Sequence, residues 1–139
     1  MKICVGFQWR DAGRVEIGPD GKLVFPELPG VPGIYRFLSR DRQGSSVYIG
    51  EAEDLKRRMQ HYRTPGPRQL TNLRLHRRIR DVLEGVGSVE VATATDATLD
   101  LDERPLPLDI SKKAFRRLLE SAALAHALGT AGPDRVENL

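Results

Sequence analysis

Residues 33–62, GIYRFLSRDRQGSSVYIGEAEDLKRRMQHY, constrain this chain more than any other stretch. Two triplets stand in it, Gly33-Ile34-Tyr35 and Tyr48-Ile49-Gly50. Each sits in a short run rich in β-branched and aromatic residues, bounded by Gly, Asp and Ser, which is the pattern of a strand. The spacer over residues 39–46 is rich in turn formers and predicts the loop of an antiparallel hairpin. Asp54 follows at a position suited to capping a helix, and Leu55, Met59 and Tyr62 then recur at i, i+4 and i+7 on one helical face.

The flanking segments supply further elements. Residues 1–7 read as a short strand. Residues 14–17 and 22–25 alternate apolar and polar around the Gly18-Pro19-Asp20-Gly21 turn, so a hairpin is expected there, either extending the sheet or meeting a partner. Trp9 reads as a packing residue, because buried aromatic area stabilises a small core. After the breaker Thr64-Pro65-Gly66-Pro67, residues 71–83 read as a helix with Leu75, Ile79, Val82 and Leu83 on one side and Gly85 and Gly87 ending it. Residues 88–93 alternate as a third strand. The proline-containing acidic stretch 96–109 is longer than an ordinary connection and reads as a surface insertion. Ser111 suits the cap of a last helix whose apolar stripe is Phe115, Leu118, Leu119 and Ala122, with Gly129 as its stop. Residues 130–139 show no clear periodicity. The fold class expected is α/β of the α+β kind: a small antiparallel or mixed sheet of about three core strands flanked by helices, with an added N-terminal β-hairpin. One domain is expected over residues 1–139, with 1–30 as an extension and 31–139 as the core.

Charge distribution narrows the partner. A chain of 139 residues with formal charge +3 is only mildly basic. Yet from Lys56 to Arg80 nine basic residues occur with no Asp or Glu, and from Asp81 to Asp109 the balance reverses, Arg104 being the only base. A one-sided basic block is the footprint of a polyanion, and an exposed helix face is the plainer reading of the same run. The single cysteine, Cys4, excludes an intrachain disulfide and a cysteine metal cluster, and fits a reducing, cytoplasmic setting. The N-terminus lacks the long apolar region of a secretory signal, and no run approaches membrane-spanning length, so no membrane partner is expected.

With both triplets written out in full, the chain resembles the GIY-YIG nuclease superfamily. The likeness extends through Arg58, three residues after Leu55, and Tyr62, four residues after Arg58. It takes in the glutamate of Leu118-Leu119-Glu120-Ser121-Ala122 and, at the chain end, Asn138. The resemblance covers roughly residues 30–138. It implies an endonuclease that hydrolyses DNA phosphodiester bonds by tyrosine- and metal-assisted attack of water. Tyr35, Tyr48, Arg58 and Glu120 would be the catalytic residues. Glu120 would hold one divalent cation, Mg²⁺ with Mn²⁺ as the alternative, since Mg²⁺ often takes only one or two carboxylates and keeps several waters. Arg58 would meet the scissile phosphate, which a guanidinium matches in bidentate fashion. Either tyrosine would act as general base or orient the water, with Tyr35 preferred for the base. That role requires a phenol pKa lowered from about 10. His61 and Tyr62 would line the substrate cleft and Asn138 would orient substrate or tyrosine side chains, while the clustering of Arg74, Arg77 and Arg78 in a stretch free of acids suggests contacts with backbone phosphates. The plainer reading of Glu120 is an exposed carboxylate paired with Arg116 one turn earlier. The alternatives are a nucleic-acid binding module without catalysis, or a nuclease for RNA or branched DNA. Cutting both strands of a duplex would call for two active sites, hence a homodimer.

Overall fold

The computed structural model describes residues 1–130 and 135–138. Strands β1 (Ile3–Phe7), β2 (Arg10–Arg14), β3 (Glu16–Ile17) and β4 (Leu23–Val24) precede the two triplet strands, β5 (Gly33–Asp41) and β6 (Gly44–Ala52). Helices α1 (Leu55–Arg63) and α2 (Leu70–Glu84) follow, then β7 (Ser88–Ala94), β8 (Ala97–Leu101), β9 (Arg104–Leu106), α3 (Lys113–Thr130) and β10 (Arg135–Val136). The main sheet has the order β10-β6-β5-β7-β2, all antiparallel except the parallel β10–β6 edge.

Alternation along the central strands sorts side chains onto two faces. Tyr35, Phe37, Val89 and Val91 meet Leu55, Met59, Tyr62, Leu75, Ile79 and Val82 of α1 and α2. Ile34, Val47, Ile49 and Ala94 meet Leu119 and Ala123 of α3 on the opposite face. The expected α+β architecture, with three core strands between helices and an N-terminal β3–β4 hairpin, is therefore present.

Both triplet glycines answer to packing. A Cβ on Gly33 would lie 2.8 Å from the Ala94 carbonyl oxygen and 3.1 Å from a Leu55 methyl. A Cβ on Gly50 would lie 2.5 Å from Cζ of Tyr35, its partner across the β5–β6 ladder. Tyr35 can lie flat over the second triplet only because residue 50 has no side chain.

Several elements differ from the sequence reading. The spacer over 39–46 is not a loop. The strands run through it to a two-residue turn, with Asp41 opposite Gly44, because β7 and β6 pair with β5 on both sides. Gly44 supplies the φ of 123° there, a value costly for other residues. The stretch 96–109 is surface but not structureless: β8 and β9 form a hairpin turned by Asp102 and Glu103 at positive φ, and β8 pairs with β1. The N-terminal strand thus belongs to a second sheet, β1-β8-β9. The polar segment β2 is an edge strand with a register shift at Gly13, where edge position tolerates its charges.

On α3 the buried stripe is Arg116, Leu119 and Ala123, whereas Leu118 is 37% exposed. Ser111 spends its hydroxyl on Asp109, 2.6 Å away, and the helix runs past Gly129 to Thr130. Of the tail left without an element, β10 pairs with β6, while residues 131–134 and 139 lie outside the described residues. Trp9 packs its edge on Phe7 with ring centres 5.3 Å apart, and the Arg36 guanidinium stacks over it at 5.2 Å. Among the described residues no helix is long and apolar enough to cross a membrane.

Candidate active site

Three tyrosines gather on the α1 side of the sheet. Tyr35 comes from the middle strand, Tyr48 from β6 and Tyr62 from the last turn of α1. Asp54 starts that helix by accepting the Arg57 backbone N–H at 3.0 Å, and its first apolar residue, Leu55, plugs against Gly33. The cap fixes the helical phase, and the phase delivers Arg58 and Tyr62, four residues apart, to the same end of the sheet. The Tyr35 and Tyr62 hydroxyls lie 2.5 Å apart in a buried hydrogen bond. Phe37 fills the space between the rings, 5.5 Å from Tyr35, 5.2 Å from Tyr62 and stacked on Tyr48 at 6.2 Å. His76 of α2 holds the helix end by a 2.6 Å contact between Nδ1 and the Tyr62 carbonyl.

Burial sets the protonation of the pair. It pushes the Tyr35 hydroxyl well above the usual phenol range, and the neighbouring Tyr48 pushes the same way, while Arg58 and the bond to Tyr62 oppose. Tyr62 is raised further, by burial and then by Tyr35 and Tyr48. Both hydroxyls therefore keep their protons at neutral pH, one donating to the other. The preference for Tyr35 as base requires the opposite shift, and burial acts against it. Tyr48 is half-buried, the least enclosed of the three. Half-buried Arg58 loses some charge stability to its own desolvation, but the Tyr35 and Tyr62 hydroxyls against it outweigh the loss, so its pKa rises.

Glu120 approaches the same region from the α3 side. Desolvation raises its carboxyl pKa first, and the Glu51 carboxylate beside it second. The Glu51 backbone N–H and the charges of Arg117 and Arg58 pull the other way. Glu120 thus stands at the strand just past Gly50, within electrostatic reach of Arg58. The pairing with Arg116 that the plainer reading of Glu120 called for does not form: Arg116 turns to Glu51, Nε to Oε2 at 2.7 Å. Glu51 and Arg116 are the residues of this region that sequence reasoning missed. The signal for Glu51 was its place directly after the second triplet.

The remaining expected site residues are spread more widely. Asn138 gives both ends of its amide to the backbone of Ile49, accepting from the N–H at 2.9 Å and donating to the carbonyl. It anchors the chain end to β6 rather than reaching towards the tyrosines. His61 is half-buried on α1. Arg74 and Arg77 are exposed on α2. Arg78 is already engaged, 3.0 Å from Glu137 and 3.7 Å from Asp41, so a phosphate would have to compete with two carboxylates.

The donor set allows a hard cation. Glu120 offers a carboxylate whose charged form a cation would favour against its desolvation, while the nearby Glu51 carboxylate is engaged by Arg116 at 2.7 Å. Among the described residues no three His, Cys, Asp or Glu side chains converge.

A hairpin strand pair, a capped helix and a cluster of tyrosines thus meet near the second glycine. The chain matches the UvrC-like GIY-YIG domain over residues 31–101, just over half its length, and belongs to that family. The match takes in both triplets, Arg58 and Tyr62, while Glu120 and Asn138 lie beyond it. A nuclease-type function and a nucleic-acid partner follow in general from that membership. No solved structure matches the chain significantly.

Proposed function

We propose that the protein is a metal-dependent endonuclease that hydrolyses phosphodiester bonds in DNA. The observation that supports this reading is the buried Tyr35–Tyr62 hydroxyl pair, 2.5 Å apart, with Arg58 within electrostatic reach of both hydroxyls and of Glu120. A phosphate drawn to Arg58 would lie within electrostatic reach of Glu120, while Tyr35 and Tyr62 stay enclosed. Tyr35 and Tyr62, kept protonated and bonded to each other, back the guanidinium with their hydroxyl oxygens as acceptors. Tyr48, the least enclosed hydroxyl, orients the attacking water and takes part in removing its proton. Attack forms a bond from the water oxygen to phosphorus and breaks the bond from phosphorus to the leaving sugar oxygen; the water's proton passes to the Tyr48 oxygen as that hydroxyl gives its own to solvent, and solvent returns a proton to the leaving oxygen.

Glu120 would hold a divalent cation, Mg²⁺ or Mn²⁺, which when bound balances charge on the phosphate and the leaving oxygen. Arg74 and Arg77, exposed on α2, supply the charge that holds the flanking backbone.

The test is incubation with supercoiled plasmid, single-stranded DNA and RNA, each with Mg²⁺ and with EDTA. Nicking or linearisation of plasmid that EDTA abolishes is expected. Cleavage of RNA alone would overturn the substrate, and cleavage undiminished by EDTA would overturn the metal.

A further inference from the structure

Arg116 is 4% exposed, a burial a charged side chain reaches only when its donors are used. Its Nε donates to Glu51 at 2.7 Å, and one terminal nitrogen donates to the carbonyls of Ser111 at 2.7 Å and Ile110 at 3.2 Å. One side chain thus ties three things together: the residue after the second triplet, the segment leading into α3, and α3 itself. An apolar pair of similar volume would stabilise the fold as well or better, because two charges must be taken out of water to make this one. What a charge-assisted pair adds is fixed geometry. Glu120 lies four residues after Arg116 on the same helix face, so whatever fixes Arg116 on β6 also fixes Glu120 there. A rotation or slide of α3 by part of a turn would carry the carboxylate away from Gly50 and Arg58.

We propose that Glu51 and Arg116 are positioning residues: their ion pair sets the register of α3 on β6 and thereby holds Glu120 at the site. This rests on the reading of Glu120 as the site carboxylate.

The test compares Arg116→Met, Glu51→Gln, the double variant and Glu120→Gln by thermal unfolding, single-turnover plasmid cleavage and Mn²⁺ binding. Arg116→Met strands the Glu51 charge and should lower the melting temperature. The double variant removes both charges and should melt close to wild type. Its cleavage rate should nevertheless stay at least tenfold down, with the apparent affinity for DNA changed by less than threefold, and its Mn²⁺ affinity should fall. Arg116→Lys, which restores a charge without the fork of donors, should recover stability more than rate. A double variant with wild-type stability, rate and Mn²⁺ affinity would overturn the proposal and leave the pair a structural one. If the wild type cleaves nothing, Mn²⁺ affinity decides: binding lost in Glu120→Gln but retained in the double variant overturns the positioning role alone. Absence of both cleavage and Mn²⁺ binding in the wild type would overturn the reading of Glu120 and the proposal with it.

Discussion

The tyrosines divide by burial, and burial divides their roles. Tyr35→Phe removes a hydroxyl that is fully enclosed and bonded to Tyr62, so it should cost about 0.5–1.5 kcal/mol of stability, the usual net worth of such a bond. Tyr48→Phe should instead lower single-turnover cleavage by about a hundredfold, the scale of a lost acid–base group, with little change in melting temperature. The reverse pattern would return the base role to Tyr35. Alkaline pH offers a second check. Because the folded pKa values of Tyr35 and Tyr62 are raised, the stability they confer is complete below the unfolded phenol value of about 10 and is lost as pH rises beyond it. Ultraviolet titration should show these two phenols ionising only as the protein unfolds. Glu120 follows the same sign in the acid range. Its folded pKa is raised, so the stability of the native protein falls as pH rises through the carboxylate range. Glu120→Gln should therefore melt higher than wild type at pH 7, and the gain should vanish in acid. An unchanged or lower melting temperature at pH 7 would mean that burial and the nearby Glu51 do not disfavour the charged carboxylate as described.

At the scale of elements, the most legible parts were those whose local chemistry is complete. Asp54 with Leu55, Met59 and Tyr62 specifies α1 without help from the rest of the chain, and the structure keeps all three apolar residues buried. Elements that owe their form to a neighbour were not legible. β2 is charged and pairs only because β7 presents an edge, and β8 becomes a strand by pairing with β1 almost a hundred residues earlier. On α3, Leu118 looked like core and Arg116 like surface, and the pairing with Glu51 inverted them. Arg78 shows the same effect in the site, since its neutralising partners, Asp41 and Glu137, lie far off in sequence. Consequently Arg74→Ala and Arg77→Ala should each lower the salt slope of DNA binding by about one unit, and Arg78→Ala should lower stability more than that slope. A slope unchanged in the Arg74 and Arg77 variants would make the α2 face merely solvated. Gly50→Ala tests the contact between the triplets: overpacking against Tyr35 should destabilise by about 1–3 kcal/mol, read from denaturant unfolding.

For the whole molecule, the sheet acts as a wall with the site wrapped around its β6 side at Gly50. Tyrosines and Arg58 reach the site from the α1 face, and Glu120 reaches it from the α3 face. β10 and Asn138 cover the earlier part of β6 through residues 46–49. The two core clusters on opposite faces hold these groups in one place, so the site depends on the whole domain folding around its central hairpin. The most direct measurement is single-turnover cleavage of supercoiled plasmid against Mg²⁺ concentration, for wild type and for Glu120→Gln shown to be folded. The account predicts a saturable, EDTA-sensitive rate in the wild type and a loss of at least a hundredfold in the variant, since an amide is a poor ligand for a hard cation. Equal Mg²⁺-dependent rates in the two proteins would contradict it.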